Sequence, residues 1–385
     1  MNKTTPSGSK RPLIVYVLLG DNPAPTLLDF ASSANNYLPE AELVLITNRP
    51  LNWAQFPGKV IAITPEFRLN VILNIERKFP QKVEQAGRYW IYTLERLFVL
   101  GLLKLYFETS RPVLHFESDV LSFVDYSTYQ LLLTNCTKVS IPRYSPTDGI
   151  ASILFAPTIQ MLSDTLDLMA LTLDNSDNWI SDMNLLGIAL NSNLLEELPI
   201  DFARPWPISP LSLGTSKKQF LIFDGLALGQ YLFGLDPVHT GGQAISGYVN
   251  QFYSQPLSTV TWKISTIDDH TRYMVLLSFD ECDYFVANLH VHAKIPLEAL
   301  HPNSSQWIRF IDEANGTQKR LPHHFSEDVI WSKPITLRNR YRLARENGTK
   351  WMITQAILII MRKRNFKTTE KGFNFNVKSQ GNKNT

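Results

Sequence analysis

The stretch Val113–Val120, VLHFESDV, sets an apolar run directly against two acids. Alternate side chains of an extended chain share a face, so His115, Glu117 and Asp119 are expected to point together if the strand runs on through them. Two carboxylates this close repel one another unless a positive group lies between them. Oxygen donors of this kind suit a hard divalent ion such as Mg²⁺ or Mn²⁺, which in turn holds phosphate oxygens. A solvated acidic turn after a core strand is the competing account. The second group is Asn288–Lys294, NLHVHAK. Strand alternation puts Asn288, His290, His292 and Lys294 on one face, opposite Leu289, Val291 and Ala293. That pattern predicts one face on a core and the other on a cavity or water. The histidines are candidate metal ligands, and Lys294 can meet a phosphate as a point charge. Here the alternative is an exposed edge strand with incidental histidines.

Further acids stand at two helix starts. In SDMNLLGIAL either Ser181 or Asp182 can serve as the N-cap. In FDGLALGQYLFG, Asp224 is a second possible cap, and Gly225 beside it permits close backbone approach to a ligand. Arg88, Tyr92 and Arg96 recur at i, i+4 and i+8 on a helix, a stripe drifting by ~40° per step. They can reach a phosphate or a core carboxylate, or simply pair along the helix.

These residues need a scaffold, and the apolar patterning supplies one. Buried strands are expected at Leu13–Leu19, Glu42–Thr47, Lys59–Ile63, Pro112–Phe116, Lys138–Ile141 and Ile150–Phe155. Helices are expected at Pro25–Tyr37, Phe67–Phe79, Arg88–Phe107, Pro157–Thr172 and Ile180–Asn191. This alternation predicts an α/β fold with a mostly parallel central sheet and helices on both faces. Beyond Pro205 a strand at Gln219–Phe223 and a helix at Gly225–Phe233 precede Thr259–Ile264, Tyr273–Phe279 and Tyr284–His292, which read as a smaller antiparallel region.

The chain has 385 residues, 44% apolar and 19% charged, which excludes a disordered polymer. Two cysteines, Cys136 and Cys282, exclude a disulfide scaffold and a cysteine-based zinc site, and fit a reducing, cytoplasmic setting. Neither Leu13–Gly20 nor Trp351–Met361 approaches the ~20 apolar residues of a membrane span. From Lys333 to Thr385 there are 13 Lys/Arg against two acids, whereas the remainder carries 24 against 33. The expected organisation is a catalytic domain over residues 1–330 and a basic, partly disordered extension over 331–385. The apolar run beside Arg362, Lys363 and Arg364 points the extension toward an anionic membrane surface more than nucleic acid, which is not an expected partner. A packed C-terminal helix with a frayed end is the plainer alternative.

VLHFESDVL after a strand resembles the DxD element of GT-A glycosyltransferases, with Glu117 in place of the first aspartate. NLHVHAK is similar to their late His–Lys element, and FDG with GQYL to an element of bacterial sugar transferases. Leu13–Gly20 resembles their first strand, whose end contacts the nucleotide. The likeness covers residues 11–300 in order of elements, with a nucleotide-sugar half over 11–155 and an acceptor and metal-completing half over 156–330. It implies transfer of a sugar from a nucleotide-diphospho-sugar to a glycan or lipid-linked acceptor, with Mn²⁺ or Mg²⁺ as cofactor. It further implies that Glu117, Asp119, His290 and His292 hold the metal. Leu19, Gly20, Arg96, Glu117 and Lys294 would hold the donor, and Asp182 and Asp224 would serve the chemistry. A nucleotidyltransferase on a similar sheet would also use paired acids and metal, but GDNPAPT after the first strand has no glycine-rich basic loop. A non-catalytic sugar- or lipid-surface adaptor working through the basic extension is the non-enzyme alternative.

Overall fold

The structure, a computed structural model, describes residues 11–20, 24, 26–64, 69–86, 88–208, 217–233, 257–268, 272–291 and 305–315. The strands are β1 (Leu13–Leu18), β2 (Glu42–Thr47), β3 (Lys59–Ala62), β4 (Val113–Phe116), β5 (Val120–Ser122), β6 (Ser140–Pro142) and β7 (Ile153–Ala156). They continue with β8 (Glu196–Leu198), β9 (Trp206–Pro207), β10 (Lys218–Ile222), β11 (Thr261–Asp268), β12 (Arg272–Phe279), β13 (Cys282–Val286) and β14 (Asn288–His290). The α-helices are α1 (Leu27–Tyr37), α2 (Asn70–Lys78), α3 (Pro80–Ala86), α4 (Arg88–Val99), α5 (Tyr126–Asn135), α6 (Ile159–Asn175), α7 (Asp182–Asn191), α8 (Ala227–Phe233) and α9 (Ser305–Ala314).

The main sheet has the order β3-β2-β1-β4-β7-β6-β8, and β7 alone runs against the rest. The composition of β1, LIVYVL, explains its central place. Ile14, Tyr16 and Leu18 pack into a core with α1, while Leu13, Val15 and Val17 pack into another with α4, α6 and α7. A strand apolar on both sides needs a layer on each face, and it has one. From β1 the chain moves outward to β2 and β3, then returns to the other side of β1 as β4. Such a reversal opens a crevice at the carboxyl ends of β1 and β4, where ligands bind in sheets of this kind.

A second sheet has the order β11-β12-β13-β10-β9; β11, β12 and β13 are antiparallel, while β10 and β13 are parallel. The expected strand Tyr284–His292 is two strands. β13 belongs to this second sheet, whereas β14 leaves it and pairs antiparallel with β5. Both sides of β14 are buried, so its polar face meets protein rather than water. The expected helix Arg88–Phe107 also divides, its last turns tightening to a 3₁₀ helix over Leu100–Leu105. Strands β5 and β8, three residues each, are too short to show a period in sequence.

Candidate metal centre

β4 ends at Phe116, and the chain then turns, with the Val120 N–H donating back to the Glu117 carbonyl at 3.1 Å. The turn corrects the expectation that His115 faces the two acids. His115 is fully buried, and its Nδ1 lies 2.9 Å from the Val15 carbonyl oxygen. Burial, with the Arg96 charge, pulls its pKa down to about 3. Glu117 and Asp119 instead project from the turn at the switch-point crevice.

β14 reaches this turn through its pairing with β5. Register sets His290 opposite Val120, and the Val291 N–H donates to the Asp119 carbonyl at 2.7 Å. His290 Nε2 therefore lies 3.2 Å from Glu117 Oε2 and 3.3 Å from Asp119 Oδ1. Its Nδ1 lies 3.2 Å from the Gly225 carbonyl oxygen, a contact that suits an Nδ1–H donor. In that tautomer the Nε2 lone pair faces two carboxylates. Burial alone lowers the His290 pKa, but Asp119, Glu117 and Asp224 outweigh it and push it up to about 9. The three side chains are buried, and their ligand atoms lie within 4.8 Å of one another. Oxygen ligands sit ~2.1–2.6 Å from Mg²⁺ or Ca²⁺, so donors up to ~4–5 Å apart can share one ion. Two carboxylates and an imidazole backed by a carbonyl are a fitting donor set for a divalent cation.

Arg96, on α4, hydrogen-bonds Glu117 Oε1 and lies 3.6 Å from Asp182 Oδ2. Ser181 is the N-cap of α7, accepting the Asn184 N–H at 3.2 Å, which leaves Asp182 as the first helical residue. Asp182 is buried, and its Oδ1 has no hydrogen-bond partner among the described residues. Burial raises its pKa against the opposing pull of Arg96.

Asp224 is placed differently. Its Oδ1 accepts the Leu228 N–H at 3.0 Å, and its Oδ2 accepts the N–H groups of Gly229 at 2.8 Å and His290 at 3.0 Å. Fully buried, it has its pKa raised by desolvation, with the amides and His290 pulling the other way. The carboxylate thus ties the start of α8 to β14. Asn288 completes the tie: its Oδ1 accepts the Asp224 N–H at 3.2 Å, and its Nδ2 donates to the Asp224 carbonyl at 2.8 Å. A side chain at Gly229 would put its Cβ 2.0 Å from the His290 carbonyl oxygen. Only glycine permits that approach of helix to strand.

At the end of β1, Leu19 is buried and Gly20 has φ +80°. The Gly20 N–H donates to Asn48 Oδ1 at 3.0 Å, and the Tyr92 ring packs against its Cα. Asn48 was missed by sequence reasoning; its place directly after β2, at the carboxyl end of the sheet, was the available signal. His292 and Lys294 lie outside the described residues, as does the basic extension. So does the side chain of Arg88, whereas Tyr92 and Arg96 meet Gly20 and Glu117.

No family model and no curated protein matches the sequence. The solved structures to which the chain is similar include glycosyltransferases. One is the apo form of GlyE from Streptococcus pneumoniae TIGR4, at 11% identity and TM-score 0.33, covering 49% of this chain and 45% of that one. Mouse xyloside xylosyltransferase 1 matches at 12% identity and TM-score 0.30, covering 49% of this chain and 85% of that one. The galactosyltransferase LgtC, solved with donor and acceptor sugar analogues, matches at 15% identity and TM-score 0.33, covering 81% of this chain and 98% of that one. The chain thus spans less than half the length of GlyE.

Proposed function

We propose that the chain is a divalent-metal-dependent glycosyltransferase that moves a sugar from a nucleotide-diphospho-sugar to a glycan or lipid-linked acceptor. The observation that carries this reading is the meeting of Glu117, Asp119 and His290 at the crevice between β1 and β4. In this reading Asp119 and His290 are the principal ligands to Mn²⁺ or Mg²⁺. Glu117 contributes the oxygen that Arg96 leaves uncovered, and His292 remains a further candidate ligand. Gly20, Leu19 and Asn48 form the backbone-lined seat for the nucleoside, and Lys294 serves the diphosphate.

A nucleoside diphosphate leaving an anomeric carbon gains negative charge as the bond breaks. When bound, a divalent ion supplies charge neutralisation on those phosphates, an effect worth several kcal/mol in the transition state. Arg96 fixes Glu117 and faces Asp182, so it orders both acids around one guanidinium. Asp182, with an unpartnered oxygen, is suited to accept a sugar hydroxyl or to face positive charge developing on the ring. Asp224 is assigned to positioning rather than to the reacting atoms, because both its oxygens already accept backbone N–H groups.

A thermal-shift panel of nucleoside diphosphates with and without Mn²⁺ tests the reading. One nucleotide is expected to stabilise the protein only with metal present, and Asp119→Asn should erase that shift. Equal shifts without metal would overturn it, and release of pyrophosphate from a nucleoside triphosphate would favour the nucleotidyltransferase instead. The basic extension is proposed to hold the enzyme at an anionic membrane surface, where lipid-linked acceptors lie. No helix of the described residues is long and apolar enough to cross a membrane.

A further inference from the structure

The carboxyl end of the main sheet carries a second feature, at the edge away from β3. A cleft of about 190 Å³ opens beyond β8, lined by Glu197, Leu198, Pro199, Ile200, Asp201, Arg204 and Trp206. β8 is three strands from β4 in the sheet, so the cleft lies roughly 14 Å from the metal centre at ~4.8 Å per strand.

The chemistry of its walls is specific. Leu198, Pro199 and Ile200 make a buried apolar floor. Trp206 is half-buried and meets Phe223 edge-on at 5.6 Å, which fixes the plane of the indole. Asp201 Oδ1 accepts the Ala203 N–H at 2.9 Å, a turn that carries Arg204 out to 80% exposure. Glu197 Oε2 is bonded to Arg143 Nε at 2.9 Å, while Arg204 stands 3.7 Å from Glu197 Oε1, beyond hydrogen-bond reach. The Arg204 guanidinium therefore keeps N–H donors, and Glu197 Oε1 an acceptor, toward the opening. The two wall carboxylates, Glu197 and Asp201, are balanced by Arg204 and by Arg143, which bonds Glu197 from outside the lining. An aromatic side chain for C–H groups, guanidinium donors and a carboxylate acceptor for hydroxyls, and charges balanced with Arg143 together describe a site for a neutral sugar. The cleft is also joined to the metal centre, because the Phe223 N–H donates to the Pro199 carbonyl at 2.7 Å and Asp224 follows directly.

We propose that this cleft is a neutral-oligosaccharide subsite, holding an acceptor glycan at a point beyond the residue that reacts. Its role in transfer rests on the glycosyltransferase reading; the binding does not.

Isothermal titration with lactose, cellobiose, maltotriose and chitotriose, and with trigalacturonate as the anionic control, provides the test. Wild-type protein is expected to bind at least one neutral sugar, at least fivefold more tightly than Trp206→Ala or Arg204→Ala. Arg204 is exposed, so that variant keeps the fold even if Trp206→Ala does not. Asp119→Asn should bind the sugar like wild type. Absence of neutral-sugar binding, preference for trigalacturonate, or unchanged affinity in Arg204→Ala would each overturn the proposal. Sugar binding without any metal-dependent nucleotide shift would leave the cleft standing and remove the transferase reading.

Discussion

Glu117 is held from two sides, by Arg96 on one oxygen and His290 on the other, whereas Asp119 meets His290 through Oδ1. The difference sets an order of severity. Asp119→Ala and His290→Ala are expected to lose Mn²⁺ affinity by more than tenfold, and Glu117→Gln by less, since Arg96 already neutralises part of that carboxylate. A Mn²⁺ titration of the three variants checks it, and a larger loss in Glu117→Gln would contradict it. His115 yields a pH prediction of defined sign. Its folded pKa, about 3, lies below the ordinary histidine value of 6.5, so the unfolded chain takes a proton that the native state refuses. Stability should therefore fall as pH drops below about 6.5, by up to ~1.4 kcal/mol per pH unit from this group, until about pH 3. His115→Asn, compared with wild type in urea at pH 7 and pH 4.5, should show a shallower loss. The acids and His290 were legible because paired carboxylates and clustered imidazoles stand out in any sequence. The work of Asn288 was not: its clasp on the Asp224 backbone joins groups 64 residues apart, and no local pattern encodes that.

Elements bring those residues together, and the decisive one is only three residues long. β14 reads in sequence as a continuation of β13, because VANLHV contains no Gly or Pro at which to break, and its one Asn falls in step with the apolar/polar alternation. Its departure is fixed by tertiary partners: β5 on one side, and Asp224 and Gly229 at the start of α8 on the other. Gly229→Ala is expected to destabilise the protein by ~1–3 kcal/mol through overpacking, and to weaken Mn²⁺ binding because His290 moves with its strand. Thermal unfolding and metal titration of this variant check both, and retention of wild-type metal affinity would separate the helix from the site. Removing the α7 cap by Ser181→Ala should cost about 1 kcal/mol. The long parallel strands were readable from their unbroken apolar runs, since burial on both faces leaves that mark.

At the scale of the whole molecule, the layered sheet was legible from the alternation of apolar strands and helices, while the five-strand sheet was only partly so. Parallel pairing of β10 with β13 brings together segments separated by β11 and β12, a choice that depends on packing. The two thiols offer a global check on that packing. Burial pushes the Cys136 thiol up to about 12, whereas Cys282 is only half-buried. A thiol-specific chromophoric reagent at pH 8 is expected to label Cys282 quickly and Cys136 only on unfolding; rapid reaction of both would show a looser core. Charge asymmetry makes the remaining prediction. A chain cut after Ser332 should keep the nucleotide shift but lose salt-sensitive binding to anionic vesicles, and unchanged vesicle binding would place the lipid contact elsewhere.

Two of the three candidate ligands lie in one turn, and the third arrives some 170 residues later on β14. During synthesis, then, the main sheet can gather its seven strands long before the ribosome has delivered His290. A nascent chain halted at residue 280 would carry both acids and no imidazole to meet them. In the proposed reading metal uptake is therefore a late event, and the three-ligand centre stays incomplete until nearly all of the described fold has been made.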